Sequence, residues 1–171
     1  MIDMFERGQG IVKLDRINLN ILACLQENGR ITNQELADRV ALSPSACLTR
    51  TRRLEEEGYV DGYRANVALD KIGPVLSAFM EVTLESHFPE DFDKFGKYID
   101  SRDEIVSAFM LGATFDYLLH VVVRDMAQLR ALSDEILGAE IGVVKLNTLP
   151  VLEDCKRFGG YPVRQLVPDA P

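Results

Sequence analysis

The chain is predicted to be an α+β protein, with an N-terminal winged helix-turn-helix followed by a βαββαβ, ferredoxin-like αβ-sandwich. Three observations carry this. Residues 32–58 contain two short helical segments with their own cap residues and a tight turn between them. An Asp61-Gly62 pair then sits between β-prone residues, a short-range hairpin signal. Beyond residue 75, β-prone runs and amphipathic helical stretches alternate in the order βαββαβ.

Of the 171 residues, 1–13 are expected to form a flexible leader. Residues 14–66 form the winged helix-turn-helix, 67–74 a linker ending in Gly73-Pro74, 75–152 the βαββαβ domain and 153–171 a C-terminal tail without clear period. Asp15 caps a first helix whose Ile17, Ile21, Leu22 and Leu25 line one stripe, and Asn28-Gly29 ends it. Thr32 and Glu35 have capping-box spacing and open a second helix, with Leu36, Ala37 and Val40 on one face. Ala41-Leu42 forms the turn. Ser43 caps a third helix with Pro44 at its first position, where a missing N–H costs nothing, and Gly58 ends it. Tyr59-Val60 and Tyr63, Arg64 and Ala65 supply the arms of the wing.

In the second half, residues 76–85 read as a strand, and Phe88, Phe92, Phe95 and Ile99 repeat at helical spacing as a core row. Residues 105–111 and 117–123 are strands around a turn at Gly112, Ala113 and Thr114. A helix over 126–137 places Leu129, Leu132 and Ile136 inward, and 143–152 is the fourth strand. A sheet this apolar with helices on one side only is expected to bury its other face against a second copy, which predicts an obligate homodimer.

On the third helix, Cys47, Thr51 and Leu54 repeat at i, i+4 and i+7 and are expected to face the core, with the Thr51 hydroxyl bonded back to a carbonyl one turn earlier. That turns Ser45, Thr49, Arg52 and Arg53 outward, with Ala46 and Arg50 on the flank and Ser43 at the cap. Small hydroxyl side chains at a helix start enter a major groove without clashing, and arginines bind phosphates or guanine edges. Ser45, Thr49 and Arg50 are assigned to base edges, and Arg53 and Arg64 to phosphates. The alternative is a solvated helix end on which Arg50, Arg52 and Arg53 pair with Glu55, Glu56 and Glu57. Two such units in a dimer predict a pseudo-palindromic double-stranded operator with half-sites spaced by whole turns, about 10–10.5 bp.

Taken together, Asp15-Arg16 through Leu25, Gly29-Arg30, Glu35-Leu36-Ala37, Leu42-Ser43-Pro44-Ser45, Arg50, Arg53-Leu54-Glu55, Gly58, Gly62-Tyr63 and Phe115-Asp116-Tyr117-Leu118-Leu119 resemble the leucine-responsive regulator/AsnC (Lrp/AsnC) family of transcription factors. The resemblance spans residues 14–152. It implies an amino-acid-sensing DNA-binding regulator of the bacterial or archaeal cytosol and nucleoid, forming dimers and octamers, with effector bound in the C-terminal domain near the dimer–dimer interface. In the loop from Gly112 to Asp116, a glycine lets backbone amides approach a ligand carboxylate and Asp116 pairs with its ammonium group. The Leu111 backbone and Thr114 hydroxyl are secondary candidates. Family members often carry the glycine three residues before the aspartate, whereas here Ala113 occupies that position. The plainer reading is a hairpin whose Asp116 caps its own backbone.

The formal net charge is -8, with nine Lys/Arg against ten Asp/Glu through Asn66 and ten against seventeen thereafter. This excludes coating of nucleic acid by bulk charge and leaves room for a local basic patch on the first half. Cys24, Cys47 and Cys155 show no paired spacing and read as buried free thiols of a reducing cytoplasm. His87 and His120 are isolated, so neither metal nor cofactor is expected. No phosphate loop, nucleophile elbow or catalytic carboxylate pair is present, and no residue is assigned a catalytic role. No membrane segment is expected. The reading from a different class is a metabolite-sensing oligomeric module acting mainly through protein partners.

Overall fold

The structure is a computed structural model that describes residues 14–112 and 114–170; the expected leader lies outside the described residues. The described residues form two compact units, one of residues 67–155 and one of residues 14–66 together with 156–170.

The first unit to form along the chain is helical. α1 (Arg16–Glu27) starts on Asp15, whose carboxylate accepts from the Asn18 amide at 2.7 Å. α2 (Asn33–Arg39) carries a complete capping box: Glu35 N donates to Thr32 Oγ1 at 3.2 Å, and Thr32 N to Glu35 Oε2 at 3.0 Å. α3 (Pro44–Glu56) opens on Ser43, whose hydroxyl accepts from Ala46 N at 3.3 Å. It closes as a Schellman motif, with Tyr59 N on Leu54 O at 2.8 Å, Gly58 N on Glu55 O at 3.0 Å and Gly58 at φ +75°. Ile21, Leu22, Cys24, Leu36, Ala37, Val40, Cys47 and Leu54 form the core. Ala37 is fully buried, as a close helix crossing requires.

The expected wing hairpin is not formed. No strand occurs between residues 57 and 75 among the described residues, and only a three-residue 3-10 turn at Leu69–Lys71 interrupts the segment. Tyr59 and Val60 pack onto the helical core instead of pairing with a partner strand. Tyr63 donates its hydroxyl to Glu55 at 2.7 Å, and burial together with this carboxylate pushes its pKa up to about 12. The residues on both sides of Asp61-Gly62 are therefore held by α3 rather than by each other. Thr51 also differs from expectation: its Oγ1 is buried beside the Cys47 thiol and is not bonded to a carbonyl. Burial pushes the neighbouring Cys47 thiol up.

The tail differs most. Residues 156–170 return to the helical unit, where α6 (Val163–Leu166) packs on α1 and Val163 joins the helical core. Cys155, expected to be buried, is exposed, whereas Cys24 and Cys47 are buried.

The second unit follows β1 (Leu76–Leu84), α4 (Pro89–Asp100), β2 (Ile105–Met110), β3 (Tyr117–Val123), α5 (Met126–Gly138) and β4 (Val143–Pro150). The sheet order is β2-β3-β1-β4, all neighbours antiparallel. Alternate residues point to opposite faces. Ala78, Met80, Val82 and Leu84 of β1 and Tyr117, Leu119, Val121 and Val123 of β3 pack with Phe95 of α4 and Leu129, Leu132 and Ile136 of α5. Phe88 is not part of this core. It is the residue before the first turn of α4 and is 69% exposed, because Pro89 takes the first helical position and leaves Phe88 extended. Phe92 and Ile99 pack at the core's edge and only Phe95 is fully buried.

The opposite face carries Phe79, Leu118, Val122, Phe109 and Leu149 among polar neighbours. His120 lies there as a sheet-surface residue. Its ring stacks on Phe79 at 5.0 Å and its Nε2 is 2.8 Å from Ser77 Oγ. Asn147 donates to Glu81 across the β1–β4 pair at 3.0 Å. No helix of the described residues is long and apolar enough to cross a membrane.

Candidate nucleic-acid interface and effector loop

The outer surface of α3 is built from residues its core row leaves outside. Cys47 and Leu54 are buried, so Ser45, Ala46, Leu48, Thr49, Arg52 and Arg53 are exposed. The helix start is fixed from two sides. Asn33 Nδ2 of α2 donates to Pro44 O at 2.8 Å, and the Ser43 and Ser45 hydroxyls lie 3.3 Å apart. Thr49 spends its hydroxyl proton on Ser45 O at 3.0 Å, which leaves its oxygen free only as an acceptor.

Arg50, assigned to base edges from its spacing, is placed differently. Its Nη1 donates to Asp15 Oδ2 at 2.5 Å and to Asn18 Oδ1 at 2.9 Å, locking α3 against the start of α1. Partial burial raises the Asp15 carboxyl, but the Asn18 amide and the Arg50 guanidinium outweigh it and hold it below the usual aspartate range. A cleft of about 340 Å³ opens beside this pair, lined by Asp15, Asn18, Thr49, Arg50, Arg53, Leu54 and Glu57. Arg53, assigned to phosphate, is exposed and donates Nε to Glu57 at 2.6 Å in the i, i+4 arrangement. Arg52 and Arg64 are exposed, with no ion pair among the described residues.

Sequence reasoning missed two kinds of residue here. Leu48 is 39% exposed on this face, an apolar group able to meet a thymine methyl; its offset from the Cys47 row was the available signal. Asp15 and Asn18, which hold Arg50, gave no signal, since their partner is 35 and 32 residues away.

In the sheet unit, the loop from Leu111 to Asp116 joins β2 to β3, and Ala113 lies outside the described residues. Leu111 N donates to Asp116 O at 2.8 Å, closing the loop, and Asp116 N donates to Val82 O at 2.8 Å. The Asp116 carboxylate, expected to await a ligand ammonium group, is already engaged. Oδ2 accepts from Leu84 N at 2.8 Å and Oδ1 lies 2.9 Å from His87 Nε2. The physical reason is register. β1 runs beside β3, so the end of β1 offers an unpaired amide where the side chain of Asp116 arrives. Gly112 has an ordinary φ and open space around its Cα, so the loop needs no glycine for its own backbone. Leu111, Gly112 and Thr114 are exposed, leaving the loop's rim accessible. His87, which stacks on Phe92 at 6.0 Å, was missed as a partner of this loop.

Residues 14–61 match the family described as winged helix-turn-helix DNA-binding, and residues 77–161 match the Lrp/AsnC ligand binding domain. The leucine-responsive regulatory protein of Escherichia coli strain K12 is 41% identical over 144 residues, 84% of this chain and 88% of that protein. The crystal structure of a Neisseria meningitidis transcriptional regulator in complex with L-Met is similar at TM-score 0.83 and 35% identity, covering 90% of this chain and 99% of that one. An AsnC family transcriptional regulator from Agrobacterium tumefaciens gives TM-score 0.83 at 27% identity, with 90% and 99% covered. The described helical unit and the four-stranded antiparallel sheet unit are those of a DNA-binding regulator with a small-molecule sensor, and the chain belongs to the Lrp/AsnC family of transcriptional regulators.

Proposed function

We propose that the exposed start of α3 reads operator DNA, with Ser43, Ser45, Ala46 and Thr49 against base edges, Leu48 as an added apolar contact and Arg52, Arg53 and Arg64 on phosphates. The observation that carries this is the division of labour on one helix: the core row holds α3 in place and Arg50 braces it, while its small hydroxyl residues stay exposed. Arg50 acts as a positioning residue, fixing the angle of α3 through Asp15 and Asn18. The operator is a pseudo-palindrome read by a homodimer, which pairs through the helix-free sheet face carrying Phe79, Leu118 and Leu149; such dimers assemble further into octamers.

The effector is an amino acid held at the rim of the β2–β3 loop by the backbone of Leu111, Gly112 and Ala113 and the Thr114 hydroxyl. The match of the ligand-binding family across this loop and the L-Met complex of a similar regulator support this reading. Asp116 shapes the loop through Leu84 and His87, and its bond to His87 is the one a ligand ammonium group exchanges with. The reading places the protein in the cytoplasm, on the nucleoid.

Gel-shift titration on the DNA upstream of the protein's own gene, at several salt concentrations, tests the first part: sequence-preferring binding that weakens steeply with salt is expected, and a flat salt response would sink it. Thermal stabilisation across the twenty amino acids tests the second. A ligand at 100 times its Kd adds ~2.7 kcal/mol, and a screen in which no amino acid shifts the transition counts against the effector.

A further inference from the structure

We infer that the helical unit carries a ligand site of its own, a cleft between the start of α1 and the C-terminal segment that takes a small phosphomonoester. It belongs to a different unit from the β2–β3 loop and shares no residue with it.

The C-terminal segment builds the cleft by running back along α1. The Gln26 side chain, near the end of that helix, clamps the backbone of Tyr161: Tyr161 N donates to Gln26 Oε1 at 2.6 Å, and Gln26 Nε2 donates to Tyr161 O at 3.1 Å. Val163 then inserts at the edge of the helical core and α6 packs on α1. Val167 and Pro168 arrive beside Arg16 and Leu19, at the other end of the helix. The two segments enclose a cleft of about 330 Å³, the size of a small-molecule pocket.

Its chemistry is one-sided. Arg16 of α1 and Arg164 of α6 both line it, both are exposed, and neither makes an ion pair among the described residues. Asn20 adds an amide, Leu19, Val167 and Pro168 supply an apolar wall, and no carboxylate lines the cleft. The neighbouring acids do not serve: Asp15 is engaged by Asn18 and Arg50, and Asp169 stays out of the lining. In a chain with 27 Asp/Glu against 19 Lys/Arg, two arginines from opposite ends of the sequence thus share one cleft without a counter-charge. An anion between them relieves their repulsion.

Two guanidinium groups match the double charge of a phosphomonoester, and each offers the fork that binds phosphate oxygens in pairs. The apolar wall favours an organic body over the free ion. Operator phosphate fits less well as the source. Arg16 and Asn20 each stand two positions from Asn18, which puts them about 160° around the helix axis from it. Asn18 is held by Arg50 of α3, so the cleft opens on the side of α1 turned away from that brace.

Calorimetric titration of the full-length protein at pH 8, where a phosphomonoester is doubly charged, tests the site with phenyl phosphate, inorganic phosphate and benzoate. One phenyl phosphate per chain is expected. Inorganic phosphate lacks the apolar body and benzoate lacks one charge, so each should bind about tenfold more weakly or worse. Arg16→Gln and Arg164→Gln should each weaken phenyl phosphate about tenfold or more. Arg30→Gln, which changes an exposed arginine of the same unit outside the cleft, should leave it within about twofold. Both cleft arginines are exposed, so each variant should keep the parent's ligand-free Tm within about 2 °C. Arg164→Gln, on the short α6, keeps the test usable even where Arg16→Gln disturbs α1. A parent that binds no phenyl phosphate, or an equal loss in Arg30→Gln, overturns the site. Benzoate binding as tightly as phenyl phosphate overturns the phosphate, and inorganic phosphate binding as tightly overturns the organic body. Gel-shift with salt titration separates the sources: the cleft variants should keep the parent's salt slope on DNA, and a slope reduced by about one assigns these arginines to the DNA backbone and overturns the small-molecule site.

Discussion

Two carboxylates, one in each unit, make nearly the same bonds. Asp15 accepts from the Asn18 amide at 2.7 Å and from the Arg50 guanidinium at 2.5 Å. Asp116 accepts from the Leu84 amide at 2.8 Å and lies 2.9 Å from the His87 ring nitrogen. They differ in where the amide comes from. The partner of Asp15 is three residues away, in the first turn of its own helix, whereas the partner of Asp116 is 32 residues away on another strand. The helical unit braces α3 from a local cap that a distant arginine then exploits. The sheet unit shapes its loop only after β1 and β3 have aligned. A defect in sheet packing should therefore loosen the Leu111–Asp116 loop, while the caps of the helical unit should yield independently and in smaller steps.

The largest effect is expected from Phe95→Ala. Phe95 is fully buried and lies 4.7 Å from the Tyr117 ring, beside Asp116. Its loss should cost about 3–5 kcal/mol, and amide exchange should accelerate in β1, β3 and the Leu111–Asp116 loop more than in α1–α3. Equal acceleration in both units would break the comparison. Next comes Asp116→Ala, which strands the Leu84 amide at a cost of about 1–3 kcal/mol. Urea unfolding measures the loss, and Leu84 amide exchange shows whether it is local. Thr32→Ala removes half of the capping box of α2 and should cost about 1 kcal/mol, read as a lower urea midpoint with an unchanged slope.

Asp15→Asn sharpens the comparison through pH. Because the folded carboxyl is held below the usual 3.8, its contribution is full at neutral pH and is lost as pH falls through the lowered folded value. Asparagine keeps the cap but not the ion pair, so the variant should be less stable than the parent at pH 7 and should close that gap in strong acid; parallel stability curves would refute the pairing. The smallest effect on folding belongs to Arg52→Ala. Tm should stay within about 2 °C, while the salt dependence of DNA binding should weaken by about one phosphate contact.

The two families of bonds also explain what was legible beforehand. Asp15, Thr32, Glu35, Ser43, Pro44 and Gly58 each act on backbone within about four residues, so reading them in order places α1, α2 and α3. The βαββαβ order was legible for the same reason, through apolar periodicity within each segment. The wing failed because Asp-Gly states only that a turn is favourable; whether its flanks pair depends on competitors, and Glu55 and the helical core held Tyr63, Tyr59 and Val60.

What the sequence determined by itself was the set of elements, their caps and the outward start of α3, because those properties rest on neighbours a turn or less away. Only the tertiary structure decided that Arg50 braces α1 rather than reaching outward, that Asp116 is spent on Leu84 and His87, and that residues 156–170 come back to clamp Gln26. A charged or polar side chain takes the best-matched partner within reach, and which partners come within reach is set by how segments far apart in the chain pack together.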